Sequence, residues 1–281
     1  MPFIQRAGKP TIHYQIDDYT DPWRESPVIL LQHGFARSSE IWYRWVPYLS
    51  RFYKIVRPDL RGFGQSSRDF DLDTGLGIDA YIEDLEAIID HLGVDSVHYC
   101  GESLGGIIGM FFAAQRPRRV RTLSLMSSPI RISEGFKKQV AFGHESWEHA
   151  LRAIGARGYA DARNGADRFA PNTDPGLMRW FAEVQGSSDI DVMIAVQKRI
   201  LGVDATPYLK DIQAPVLGLY PAEGSITTPE QQQTLRDHVR NLSLIAIPTQ
   251  YHNLFATQPA MCAQQVLHFA AQHDGISCRE G

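Results

Sequence analysis

Val97-His98-Tyr99-Cys100-Gly101-Glu102-Ser103-Leu104-Gly105-Gly106 is the stretch on which the fold turns. Val97 to Cys100 reads as a short strand, and Leu104 to Gln115 as a helix stopped by Pro117. Between them Gly101-Glu102-Ser103-Leu104-Gly105 has the form G-x-S-x-G. The pentapeptide alone says little, because Gly and Ser are common. Set between a strand and a helix, it predicts a sharp, strained turn that projects the serine hydroxyl at the carboxyl end of a sheet, with glycines making room for close packing. The serine also lies at a helix N-terminus, whose dipole favours developing negative charge. The plainer reading is a serine that merely caps the helix.

The same alternation continues on both sides. Ile12 to Ile16 alternates apolar and polar residues like an edge strand, whereas Val28-Ile29-Leu30-Leu31 is apolar throughout, like a strand covered on both faces. A helix is expected over Glu40 to Leu49, a strand over Tyr53 to Val56, and a helix carrying Ile78, Tyr81, Ile82, Leu85, Ile88, Ile89 and Leu92 at helical spacing, with Gly93 as its C-terminal cap. Val120 to Met126 is a further strand. From Ile130 to about Tyr208 the strands stop, and Trp147 to Ile154 and Leu177 to Val184 look helical. Alternation resumes with strand Val216 to Tyr220, a helix from Pro229 capped by Thr228, strand Leu242 to Ile247 and a helix from Pro259. The fold class is therefore α/β, a mostly parallel sheet flanked by helices. Residues 1–129 and 209–281 are expected to form the core domain, and 130–208 an inserted helical cap.

With 281 residues, 43% of them hydrophobic and 21% charged, the chain can bury a sizeable core. A net charge of −4 does not suggest a nucleic-acid or membrane-surface partner. Arg116, Arg118, Arg119 and Arg121 are expected to complement the dipole of the helix that ends there. Cys100, Cys262 and Cys278 give neither a disulfide framework nor metal-ligand spacing, so no metal or cofactor is expected and a reducing compartment is the simpler reading. The stretch from Met1 to Arg6 lacks signal-peptide character, and no apolar run approaches the roughly 18 residues that span a bilayer, so the expected location is the cytoplasm.

At the elbow and around it the chain resembles the α/β-hydrolase superfamily, closest to capped ester and lactone hydrolases of the enol-lactonase kind. The resemblance implies Ser103 as nucleophile. His33-Gly34-Phe35, after the apolar strand, is similar to the family's His-Gly pair, which implies an oxyanion hole built from the N–H groups of Phe35 and Leu104, with His33 bracing the loop. Arg57-Pro58-Asp59-Leu60-Arg61-Gly62-Phe63-Gly64-Gln65-Ser66 is similar to another family segment, where Asp59 and Arg61 would fix the loop through an ion pair and backbone bonds. The family's order of Ser, acid and His, with the His after the last strand, implies His252 as the base. A neutral imidazole with a pKa near 6.5 suits that task.

The acid departs from the pattern. Gly224 stands where the family carries Asp, with Glu223 one residue early, and the second family position holds Ser127 and Ser128. Glu223, a carboxylate from elsewhere such as Asp189 or Asp191, and a Ser103–His252 dyad all remain open. In the insertion, Phe136, Phe142, Trp147, Tyr159, Phe169, Trp180 and Phe181 are expected mainly to form cap core, while Arg152, Arg157, Arg163 and Arg168 read more as solvated surface than as a carboxylate clamp. The expected activity is hydrolysis of a small carboxylic ester or lactone through an acyl-enzyme. Carbon–carbon bond hydrolysis on the same Ser–His pair, and a non-catalytic ligand-binding role, are the alternatives. The sequence assigns neither a substrate nor an oligomeric state.

Overall fold

Alternate residues of the apolar strands belong to different cores. In β3 (Val28–Gln32), Val28 and Leu30 pack on one face of the sheet and Ile29 and Leu31 on the other, as the two-residue period of a strand requires. Both faces are covered, which is why the strand is apolar throughout. The computed structural model describes residues 2–278, with Ala166 described only in its backbone.

Eight strands form one sheet. Besides β3 they are β1 (Phe3–Arg6), β2 (Lys9–Asp17), β4 (Lys54–Pro58), β5 (Val97–Glu102), β6 (Val120–Met126), β7 (Val216–Pro221) and β8 (Leu242–Ile247). Their order is β1-β2-β4-β3-β5-β6-β7-β8. Pairing is antiparallel at β1–β2 and β2–β4 and parallel from β4 to β8. The chain runs outward from β3 to β4, then returns to β5 on the other side of β3. Strand order reverses between β3 and β5, and open α/β sheets bind ligands beyond the carboxyl ends of strands at such a point.

The helices are α1 (Val46–Leu49), α2 (Ile78–His91), α3 (Leu104–Gln115), α4 (Glu134–Val140), α5 (Trp147–Arg163), α6 (Pro175–Gly186), α7 (Ile190–Ile200), α8 (Pro229–His238), α9 (Leu254–Thr257) and α10 (Pro259–Asp274). Helix α3 is buried almost all round, from Leu104 to Ala113. Helices α4 to α7 all fall between β6 and β7. Helix α5 kinks at Gly155, whose φ of 69° lies in the left-handed region.

Three local expectations differ from what is seen. The helix expected over Glu40 to Leu49 is a 3₁₀ turn at Ser39–Trp42 followed by the single turn α1. Trp42 and Trp45 pack edge to face at 4.9 Å, both fully buried, and this large aromatic pair sets the path rather than helix propensity. Strand β1 was not expected; it folds back on β2 through Gly8, at φ 69°. The basic residues after α3 are paired with acids rather than left to the helix dipole: Arg116 with Glu86, Arg119 with Asp90, and Arg121 with Asp274.

Candidate active site

Ser103 joins β5 to α3 with φ 52° and ψ −116°. A non-glycine residue in that region stores about 1–3 kcal/mol of strain, which the surroundings must over-determine. They do so by close packing. A Cβ at Gly101 would collide with the Gly105 backbone, and one at Gly105 with the Gln32 carbonyl oxygen at the end of β3. The backbone is pinned as well, since Ser103 N–H donates to Met126 O at 3.1 Å and Gly106 N–H donates to Ser103 O at 3.0 Å. Ser128 supports the bend from below, its hydroxyl donating to Gly101 O at 3.1 Å. The serine itself is half-buried.

The loop after β3 lies against this elbow. His33 is fully buried, its Nδ1 donating to Gly34 O at 2.8 Å and its Nε2 accepting from Leu60 N–H at 3.0 Å. That bonding selects the neutral Nδ1–H tautomer and makes His33 a brace between two loops. Among the described residues, no acceptor is bound to the N–H of Phe35 or of Leu104. Asp59 does hold its loop, but not through Arg61. It accepts from His13 at 2.7 Å and from the N–H groups of Ser39 at 2.6 Å and Gln65 at 2.9 Å, while Arg61 forks onto Asp84 with two bonds of 2.7 Å.

His252 is 2% exposed. Its Nε2 lies 3.3 Å from Glu102 Oε1, a charge contact whose angles fall short of a hydrogen bond, and Nδ1 has no partner among the described residues. No hydrogen bond joins the ring to the Ser103 hydroxyl, although Glu102 is the residue immediately before Ser103. The ring thus reaches the elbow but leans on its neighbour. Burial, then Arg168, lowers the His252 pKa to about 4, against an opposing pull from Glu102.

The carboxylate facing His252 is therefore Glu102, which sequence reasoning did not single out. It is fully buried, accepts from Gly34 N–H at 3.1 Å and pairs with Arg37 at 2.9 Å. Burial opposes its ionisation, but Arg37, His252 and Arg168 outweigh this and bring the carboxyl down to about 2. Glu223 does not join the group. It is exposed, its backbone N–H donates to Thr249 O at 3.3 Å, and among the described residues its carboxylate makes no bond to His252. Its neighbour Gly224 is the buried one, so the one-residue offset from the family position puts the carboxylate on the wet side of the loop. Asp189 and Asp191 are also elsewhere, near Arg68 and Arg152 on the exposed side of α7. The only sign of Glu102 in the sequence was a charged residue inside an otherwise apolar strand-to-helix junction.

The segment between β6 and β7 touches this group. Between α5 and α6 the chain makes a π-helical turn, Asn164–Arg168. His252 N–H donates to Asp167 O at 2.8 Å and Asn253 N–H to Arg168 O at 3.1 Å, so the turn and the histidine loop are strapped together. Arg37 lies between the rings of Phe181 and Phe255, at 5.5 and 5.4 Å, and donates to Asn253 Oδ1 at 2.8 Å. Phe35 packs on Trp147, which stacks on Tyr159. Phe136, Trp147, Tyr159, Phe169 and Phe181 are all buried, in keeping with a core role. The arginines divide. Arg152 and Arg157 are exposed and pair along α5 with Glu148 and Asp161, but Arg163 and Arg168, read as surface, are 0% and 8% exposed.

Comparison with known proteins agrees with this architecture. The sequence profile described as alpha/beta hydrolase fold matches residues 27–156. A strigolactone esterase of Pisum sativum is 26% identical over 85% of this chain and 90% of its own. A 3-oxoadipate enol-lactonase of Acinetobacter baylyi is 23% identical over 78% of this chain and 80% of its own. The crystal structure of an enol-lactonase from Burkholderia xenovorans superposes with a TM-score of 0.81 at 21% identity, covering 95% of this chain and 99% of that one. Residues 27–156 thus match the alpha/beta hydrolase family model, and the fold is the one shared by the solved α/β hydrolases. No helix among the described residues is long and apolar enough to cross a membrane.

Proposed function

We propose that this protein is a serine hydrolase that cleaves a carboxylic ester or lactone of a small organic substrate through an acyl-enzyme. The match to the alpha/beta hydrolase fold and the likeness to esterases and a lactonase support a hydrolase. The observation that carries the finer reading is the strained backbone of Ser103 at the strand-order reversal, with a buried, neutral imidazole brought to the same elbow. His252 takes the Ser103 proton as Oγ bonds to the carbonyl carbon. The carbonyl oxygen, now an anion, is held by the N–H groups of Phe35 and Leu104, each such donor being worth ~10²–10³ in rate. The carbon–oxygen bond to the leaving group breaks, and the proton passes from His252 to that oxygen. Water then repeats the sequence and frees the acid.

For the first step Nε2 must move from Glu102 toward Ser103; such bonds tighten when substrate is bound. Glu102 stays beside the ring and offsets the charge of the imidazolium that forms. Residues 130–208 act as the cap that excludes water. Hydrolysis of 4-nitrophenyl butyrate tests this reading. Ser103→Ala should lower kcat/KM by between about 10⁴ and 10⁶; a variant that keeps the wild-type rate would rule Ser103 out.

A further inference from the structure

Arg37 and Arg168 lie beside the His252 ring and Glu102, Arg163 lies next to both of them, and all three guanidinium groups are buried. The carboxylates among them are Glu102 and Asp167. Asp59 lies beyond His33 and is engaged by His13 and two backbone N–H groups. One positive charge in this buried group therefore has no counterpart. Its location follows from the bonding. Arg37 is committed to Glu102 and Asn253. Arg163 spends Nη2 on Asp167 at 3.1 Å and presents its carbon to the Phe136 ring at 5.3 Å, which leaves Nε and Nη1 without partners. Arg168 makes no ion pair or hydrogen bond through its side chain among the described residues, and its Nε is buried. Buried N–H donors without acceptors are rare and call for an explanation, and two adjacent guanidinium groups of which only Arg163 has a carboxylate partner repel each other. A planar anion would answer both needs at once, because the guanidinium fork matches a carboxylate.

We propose that Arg163 and Arg168 form an anion-binding subsite beside Ser103 and His252, and that the substrate is an ester or lactone that carries a carboxylate. The subsite rests on the serine-hydrolase reading for its role in catalysis but not for its existence. Both arginines come from the π-helical turn and its flank, and the backbone of that turn holds the histidine loop. Anion capture and placement of the base are therefore functions of one segment.

Two measurements on the full-length protein test the proposal. The first compares mono-4-nitrophenyl glutarate with its methyl ester, which has the same reacting bond but no charge. The wild type should prefer the charged substrate by roughly 10- to 100-fold in kcat/KM, and the ratio should collapse toward one in Arg168→Gln, with Arg168→Lys in between. The second is calorimetric titration of glutarate into Ser103→Ala protein, where binding should weaken at least about tenfold on adding Arg168→Gln. Arg163→Gln should act likewise. Because Arg163 is fully buried, the wild-type substrate ratio and the Arg168 pair carry the test if that variant does not fold. Equal rates for the two esters, together with no glutarate binding, would overturn the subsite while leaving a Ser103-dependent esterase standing. Arginine-dependent glutarate binding without turnover of either ester would uphold the subsite and remove the hydrolase reading.

Discussion

The elbow at Gly101–Gly105 and the π-helical turn at Asn164–Arg168 meet across Glu102 and Arg168, yet different forces hold them. The elbow is fixed by backbone packing: strain at Ser103, two glycines that admit no Cβ, and hydrogen bonds to β6 and within α3. The π turn and its flank carry buried charge, with Arg163 on Asp167 and Arg168 near Glu102 and His252, and two of its backbone carbonyls accept from the histidine loop. Short-range sterics are insensitive to pH and salt, whereas buried charges are costly to bring together and are lost when one partner is removed. The machinery of one site is thus split between a rigid element and a conditional one.

Removing a charge where the two regions meet should have the largest effect on stability. Glu102→Gln strands Arg37, and breaking a buried pair in this way costs about 3–5 kcal/mol; a fall in the denaturation midpoint in urea would register it. Glu223→Gln is the matched control, expected to change stability by less than about 0.5 kcal/mol because the side chain is exposed. Equal effects would mean that Glu102 does not anchor the site.

Lowering the pH should act next, and on the charged region. The folded His252 pKa, about 4, lies below the ordinary 6.5, so the unfolded chain binds the proton first. The stability tied to the neutral ring is complete above about pH 6.5 and is lost as the pH falls through 4, roughly 3 kcal/mol in all. Glu102 adds to the loss as the pH falls from its ordinary value of 4.5 toward 2. Urea melts at pH 7, 5 and 4 would show the decline, and His252→Asn should flatten its upper part. A profile unchanged by that substitution would show that the ring is not held neutral by burial.

Breaking the elbow without touching a charge should give the smallest of the three main effects. Gly105→Ala drives a methyl group into the Gln32 carbonyl oxygen, and overpacking of this kind costs about 1–3 kcal/mol. The loss should be the same at low and high salt. A strong salt dependence would erase the contrast between the two regions.

The same contrast explains what the sequence disclosed. The elbow was legible because a backbone that must bend sharply leaves glycines at fixed spacing, and α3 and β6 were bounded to the residue by the apolar runs Leu104 to Gln115 and Val120 to Met126. The position of His252 in the loop after the last strand was legible too. The charged half was not. Arg163 sits on a helix with Arg152 and Arg157 at similar spacing, and nothing local tells a buried guanidinium from two exposed ones. Glu102 was hidden differently: it occupies a variable position inside the motif, and its partner Arg37 lies on another loop. Charge pairing between distant segments leaves no periodicity to read.

Whether Ser103 is a nucleophile activated by His252 can be read by incubation with a fluorophosphonate followed by intact-mass analysis and peptide mapping. One adduct per chain is expected, on the peptide containing Ser103, lost in Ser103→Ala and slowed by orders of magnitude in His252→Ala. An unlabelled wild-type protein, or an adduct on any other residue, would contradict it.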